Sequence, residues 1–135
     1  MAWTIDSIAS QTGDLYILSW TGLADASDLT DTVLVDVDAL SMASGATPTK
    51  TQVTYFYGAA GGVVAKLEWD HTTDDPIILV PPGCVVTLPA PHPEQAADVF
   101  TDPSSAGQNG DIVVTTLGGA VGDGLYIYME VLLIA

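Results

Sequence analysis

The sequence predicts an all-β protein, an antiparallel β-sandwich or jelly-roll-like fold built from about eight short strands in a single domain over residues 1–135. Three observations lead there. Apolar and polar residues alternate with period two in several segments rich in β-branched and aromatic types. Gly, Pro and Asp punctuate those segments at short intervals, and no amphipathic stretch of useful length carries a helical period. Among the acids Asp far outnumbers Glu, and Asp favours turns and caps over helix interiors.

Taken in order, the strand signals begin with LYILSW (Leu15 to Trp20) and TVLVDVDAL (Thr32 to Leu40). TQVTYFYG (Thr51 to Gly58) and VVAKLEW (Val63 to Trp69) follow. In the latter, Val63, Ala65, Leu67 and Trp69 share one face, and Val64, Lys66 and Glu68 the other, the signature of a half-buried strand. IILV (Ile77 to Val80), VVTL (Val85 to Leu88) and DIVVTT (Asp111 to Thr116) are shorter. The last strand runs from Leu125 to Ile134, with Leu125, Ile127, Met129, Val131 and Leu133 assigned to the core. Its other face, Tyr126, Tyr128, Glu130, Leu132 and Ile134, begins amphipathic and ends apolar, so it packs either within the domain or against another subunit.

The connections read as turns: GAAGG at Gly58 to Gly62, DDP at Asp74 to Pro76, PPG at Pro81 to Gly83 and GGAVGDG at Gly118 to Gly124. On this reading Thr51 to Trp69 and Asp111 to Leu132 are two antiparallel hairpins with glycine-rich loops. ASDLTD (Ala26 to Asp31) and PEQAADVF (Pro93 to Phe100) could each form one helical turn. Residues 89–110 hold many of the prolines and read as a long Pro-rich loop, either a surface contact arm or a passive crossover. Whether the N-terminal MAWTIDSIASQTG is an ordered strand or a docking arm is open.

The chain has a formal net charge of -15, and its only basic residues are Lys50 and Lys66. A nucleic-acid binder neutralises roughly 6 to 10 phosphates, so nucleic acid is excluded as a direct partner, and anionic membranes are disfavoured. The mean hydropathy is nonetheless positive, +0.38. The apolar surplus either fills the core or is buried between subunits. Cys84 is the sole cysteine, which rules out an intrachain disulfide and suits a reducing compartment. The N-terminal segment lacks the basic region of a secretory signal, and no apolar run approaches the roughly 18 residues of a membrane span. A soluble protein made in a cytosol is expected.

No motif carries catalysis. Cys84 with His71 or His92 could form a thiol–imidazole pair, but Cys84 opens the apolar CVVTL segment, where a buried structural cysteine is expected. No G-x-S-x-G elbow, zinc spacing or phosphate-cradling loop occurs. Asp36 and Asp38, placed on one face of a strand, and Asp74 and Asp75 are paired carboxylates that nothing selects for general acid–base work. Calcium has weak candidates in Asp25, Asp28 and Asp31, spaced three apart, and in Asp36 and Asp38; none matches an EF-hand loop. No cofactor and no enzymatic activity are expected.

Two segments, LEWDHTTDDPIILVPPG (Leu67 to Gly83) and GDIVVTTLGGAVGDGLYIYMEVLL (Gly110 to Leu133), with VLVDVDAL (Val33 to Leu40) as a third, resemble small structural proteins that tailed bacteriophages encode near their major capsid genes. The resemblance implies a virion component of the capsid decoration, or cement, type: a compact β-fold that assembles in the host cytoplasm and binds the outer surface of the shell. Its partners would be the major capsid protein and further copies of itself, a trimer being one unit that suits. Contact residues on this reading are Trp3, Tyr126, Tyr128, Leu132 and Ile134, with His92 and Phe100 from the Pro-rich arm. Two rivals stand beside it. A carbohydrate-binding sandwich would stack sugars on Trp3, Trp20, Trp69, Tyr55 and Tyr57; a tail or head–tail joining component would form a ring of higher symmetry.

Overall fold

The computed structural model describes residues 3–88, 102 and 110–135. Nine strands are found among the described residues: β1 Thr4–Thr12, β2 Leu15–Leu23, β3 Thr32–Val35, β4 Lys50–Gly61, β5 Val64–Trp69, β6 Asp75–Val80, β7 Val85–Leu88, β8 Ile112–Leu117 and β9 Gly124–Ile134. They form two antiparallel sheets, one of five strands in the order β1-β2-β9-β4-β7 and one of four in the order β3-β8-β5-β6. The expected sandwich is present, and its topology is specific. With β1 set aside, the sheets read first, eighth, third, sixth and second, seventh, fourth, fifth, which is jelly-roll connectivity. Of the N-terminal segment, Thr4–Thr12 is a ninth strand added beside β2.

This topology corrects both expected hairpins. β4 pairs with β7 and β9, whereas β5 pairs with β6 and β8, so the glycine-rich corner between them carries the chain from one sheet to the other. The same holds between β8 and β9. A glycine-rich link permits a tight reversal, but only the long-range partners decide whether the reversal closes a hairpin or changes layer. The hairpins that do form are β1–β2 and β5–β6. β4 also continues through Gly61, into the stretch expected to be a turn. The segment Thr32 to Leu40 is half strand, because β3 ends at Val35 and Val37–Ala39 is a single 3-10 turn capped by the Asp36 side chain. Asp36 and Asp38 therefore do not share a strand face. Ala26 to Asp31 forms no helical turn, and the segments 93–100 and 89–110 lie, but for Asp102 and Gly110, outside the described residues.

The core lies between the sheets. β9 alternates as the sequence dictates, with Leu125, Ile127, Met129, Val131 and Leu133 buried. Opposite them stand Ala65, Leu67 and Trp69 of β5 and Ile112 and Val114 of β8, all buried. Each large aliphatic side chain enclosed here stabilises the fold by about 1.5–3 kcal/mol. Two glycines admit the largest rings. The Trp20 ring lies over Gly22 and the Phe56 ring over Gly58, where an added Cβ would sit 2.7 Å and 2.6 Å from ring carbons. The pattern is aromatic-x-Gly within one strand, both residues facing inward.

All three tryptophans are core residues, at 6% exposure for Trp3, 3% for Trp20 and 2% for Trp69. The assignment of Trp3 to a contact surface is thereby corrected, as is the use of Trp3, Trp20 and Trp69 as sugar platforms. Indoles bury well when the N–H finds an acceptor, and two of the three do so by visible bonds. Trp3 Nε1 donates to the Ser27 carbonyl at 2.8 Å, and Trp69 Nε1 donates to Thr51 Oγ1 at 3.1 Å, a bond that crosses from one sheet to the other.

Candidate functional site

The outer face of the five-stranded sheet is an extended surface set by the strands. Along β9 it displays Tyr126, Tyr128, Glu130, Leu132 and Ile134, each half-buried. These include four of the seven residues expected to make contacts. The sheet flanks β9 with β2 and β4, which puts Ser19 beside Tyr128 and Thr21 beside Tyr126 on one side and Tyr57 beside Tyr128 on the other.

The tyrosines of β4 reach this face through a local irregularity. Thr51 and Val53 are buried, so strict alternation would turn Tyr55 and Tyr57 into the core and Phe56 out of it. The register instead shifts between Val53 and Tyr55, leaving Thr54 as a bulge whose hydroxyl donates to the Glu130 carbonyl at 3.0 Å. Beyond the bulge the parity is reversed. Phe56 is fully buried, and Tyr55 and Tyr57 point outward.

Four tyrosines are thereby collected on two neighbouring strands. Tyr55 meets Tyr128 edge-to-face with ring centroids 5.8 Å apart, and Tyr57 meets Tyr126 in the same manner at 5.8 Å. Tyr128 Oη donates to Glu130 Oε2 at 3.3 Å, and burial, then the neighbouring Glu130 charge, raises the Tyr128 phenol above its ordinary value. With Glu130 the four rings line a shallow depression of about 560 Å3. A second depression of about 430 Å3 adjoins it at Tyr126 and runs across Thr4, Asp6, Thr21, Gly22, Leu23 and Gly124. Together they form a trough across the sheet with phenol rings at one end and bare backbone at the other. Aromatic rings with polar tips give large contact area at low entropic cost, which is why such surfaces serve recognition.

Apart from Asp6 and Glu130, the acidic residues singled out in the sequence lie elsewhere. Asp25, Asp28, Asp31, Asp36, Asp38 and Asp74 all sit in connections to strands of the four-stranded sheet. Most are occupied in holding those loops. Asp25 accepts from the backbone N–H and the hydroxyl of Ser27; Asp28 accepts from the N–H groups of Gly118 and Gly119 and from Thr116 Oγ1. Of the calcium candidates only Asp31 joins other ligand types, Glu68 and Asp74, with donor atoms within 4.8 Å of one another. Glu68 also pairs with Lys66 at 3.5 Å, and burial, then the Asp31 and Asp70 charges, raises the Asp74 carboxyl above its ordinary value. Three carboxylates of this kind would suit a hard divalent cation. Asp25, Asp28, Asp36 and Asp38 are not brought to that group. Sequence spacing could not have found Glu68 and Asp74, since the sheet register and not the chain brings them to Asp31.

The loop that carries Asp74 also holds a buried histidine between two carboxylates. The His71 imidazole is fully enclosed, with Nδ1 against an Asp75 carboxylate oxygen and Nε2 2.6 Å from Asp102 Oδ1. Asp102 is itself buried, and its backbone N–H donates to the Thr51 carbonyl at 3.0 Å. Desolvation raises the Asp102 carboxyl, with the His71 charge opposing the shift. With carboxylates at both ring nitrogens, His71 is not available to activate a thiol. Cys84, expected to be buried, is exposed at the start of the short edge strand β7. It is exposed because β7 lies at the rim of the sheet. His92 and Phe100 are outside the described residues.

Neither the family models nor the curated proteins compared with this chain match it.

Proposed function

We propose that this chain is a structural docking protein, most concretely a capsid decoration protein of a tailed bacteriophage, which seats the outer face of its five-stranded sheet on the shell and catalyses no reaction. The single observation that carries this reading is the contrast between a formal charge of -15 and an outer sheet face whose charged side chains, across all five strands, are Asp6, Lys50 and Glu130 beside the tyrosines. Where carboxylates are sparse, an acidic protein meets a neutral or acidic surface with the least like-charge repulsion. Aromatic residues at the centre of such a patch, with polar neighbours around them, are the composition of a contact core. The likeness of Leu67 to Gly83 and Gly110 to Leu133 to phage virion proteins supplies the biological setting. A jelly roll is also an architecture of capsid and lectin domains, which agrees with that setting by analogy only.

The test is cosedimentation of the purified protein with empty shells assembled from the major capsid protein of a tailed bacteriophage whose genome encodes this chain. Saturable binding that Tyr57→Asp and Tyr128→Asp each weaken at least tenfold is the expected result. Binding unaffected by both substitutions would remove this face from the contact.

The tyrosine depression favours a second reading, a carbohydrate-binding module. Sugar rings stack on aromatic faces and hydrogen-bond to carboxylates, and Glu130 stands among the four phenols. A glycan array separates the two readings, because a lectin binds as an isolated protein whereas a decoration protein requires the shell.

A further inference from the structure

We propose that β1 is a self-pairing edge: two copies of the chain join their Thr4–Thr12 strands antiparallel about Ile8 and merge two five-stranded sheets into one. The observation is a difference among the four sheet edges. An open edge exposes unpaired N–H and C=O groups, and proteins that must stay monomeric shorten it, bulge it or place Pro or Lys in it. Three of the edges here carry such devices. β7 has four residues; β3 has four and a register shift between Val33 and Val35; β6 contains Pro76 and faces a register shift between Leu67 and Glu68. β1 has none. It pairs with β2 through nine consecutive residues without a shift, contains neither Pro nor Lys, and is exposed at every position. Its exposure on both faces follows from the topology, since it is the ninth strand added to a jelly roll whose opposite sheet has only four.

The sequence TIDSIASQT fits a second copy of itself. A two-fold axis perpendicular to the sheet keeps each residue on its own face, so directly opposed residues must have the same parity, and the axis must pass through a residue. Centred on Ile8, all nine residues pair: Thr4 with Thr12, Ile5 with Gln11, Asp6 with Ser10, Ser7 with Ala9 and Ile8 with Ile8. The one ionisable residue of the strand, Asp6, then meets a serine. Moving the axis to Asp6 would set the two carboxylates against each other, and moving it to Ser7 leaves Gln11 and Thr12 unpaired. Ile8, 77% exposed in the single chain, is covered by its counterpart. Both tyrosine faces end on the same side of the joined sheet, so a dimer could engage a flat partner twice and gain from effective concentration.

The experiment is native mass by light scattering on the full chain, followed by charge exchange at the axis. The expected result is a dimer whose mass a calcium chelator leaves unchanged, because Asp31, Glu68 and Asp74 are remote from β1 in the sheet order. Ile8→Asp and Ile8→Lys each oppose like charges about 5 Å apart and are expected to raise the dimer dissociation constant about tenfold or more, with the far-UV circular dichroism unchanged. Mixing the two variants restores the dimer. With Cys84→Ser as background, Ile8→Cys oxidises to a covalent dimer, since opposed Cα atoms about 4.5–5.5 Å apart accommodate a disulfide. A monomeric native chain, a trimer or larger ring, or a dimer that neither charge variant weakens would overturn the proposal. It stands apart from the docking reading: a monomer that still cosediments with shells overturns the self-pairing and leaves the docking intact.

Discussion

The outer face of the five-stranded sheet and the loops around the four-stranded sheet are built from one acidic chain by opposite rules. On the first, side chains are placed by strand alternation and by the Thr54 bulge: tyrosines, serine, threonine and aliphatics, with Asp6, Lys50 and Glu130 among them. In the second, aspartates in turns accept hydrogen bonds from backbone N–H groups, and a fully enclosed histidine sits between two carboxylates. The difference separates recognition from stability. Polar groups that hold the fold are withdrawn into the loops, and the sheet face keeps side chains whose removal costs the fold little.

That separation can be broken at several points, the largest effect first. His71→Ala removes the enclosed imidazole that stands between Asp75 and Asp102 and leaves the buried Asp102 carboxyl without that neighbour; the loss is expected to be about 3–5 kcal/mol, read as a fall in melting temperature of roughly 10 °C or more. Retained stability would show that this arrangement is not structural. Adjacent positions on β9 should then divide cleanly. Ile127→Ala opens a core cavity and is expected to cost about 2–5 kcal/mol, whereas Tyr128→Ala forfeits mainly one edge-to-face contact, about 0.5–1.5 kcal/mol, and on the proposed docking reading weakens shell binding. Equal losses of stability at the two sites, measured by urea unfolding, would erase the distinction between the faces. Gly58→Ala presses a methyl into the Phe56 ring, and overpacking of this kind costs about 1–3 kcal/mol; the same substitution at Gly45, with open space around it, tests the strain of its positive φ alone.

A smaller effect comes from pH. Burial raises the carboxyls of Asp74, Asp102 and Asp111, all on the acidic side of the molecule. Such a group takes up its proton in the folded state first. Between the unfolded value of 3.8 and the raised folded value, its contribution to stability therefore grows as pH falls and is lost again as pH rises. Melting temperature should accordingly be higher at about pH 5 than at about pH 7.5. A decrease would mean that the paired carboxylates dominate over the desolvated ones.

Much of this was legible in the chain. The period-two pattern of Leu125 to Ile134 determined which side chains of β9 face the core, and the two lysines determined that the surface field is negative. The strand content and the sandwich class followed from the same local signals, because side-chain direction in a strand depends on the residue's own position alone. Strand partners were not legible. Thr51 to Trp69 looks like a hairpin, yet in a jelly roll the successive strands belong to different sheets, and that choice rests on contacts far apart in sequence. Tertiary structure alone turned Tyr55 and Tyr57 outward, because the Thr54 bulge exists only against the register of β9. It alone enclosed Trp3, Trp20 and Trp69, brought Asp31 to Glu68 and Asp74, and closed His71 between Asp75 and Asp102. Local pattern specifies what each strand presents; only the packing of distant strands specifies what it meets.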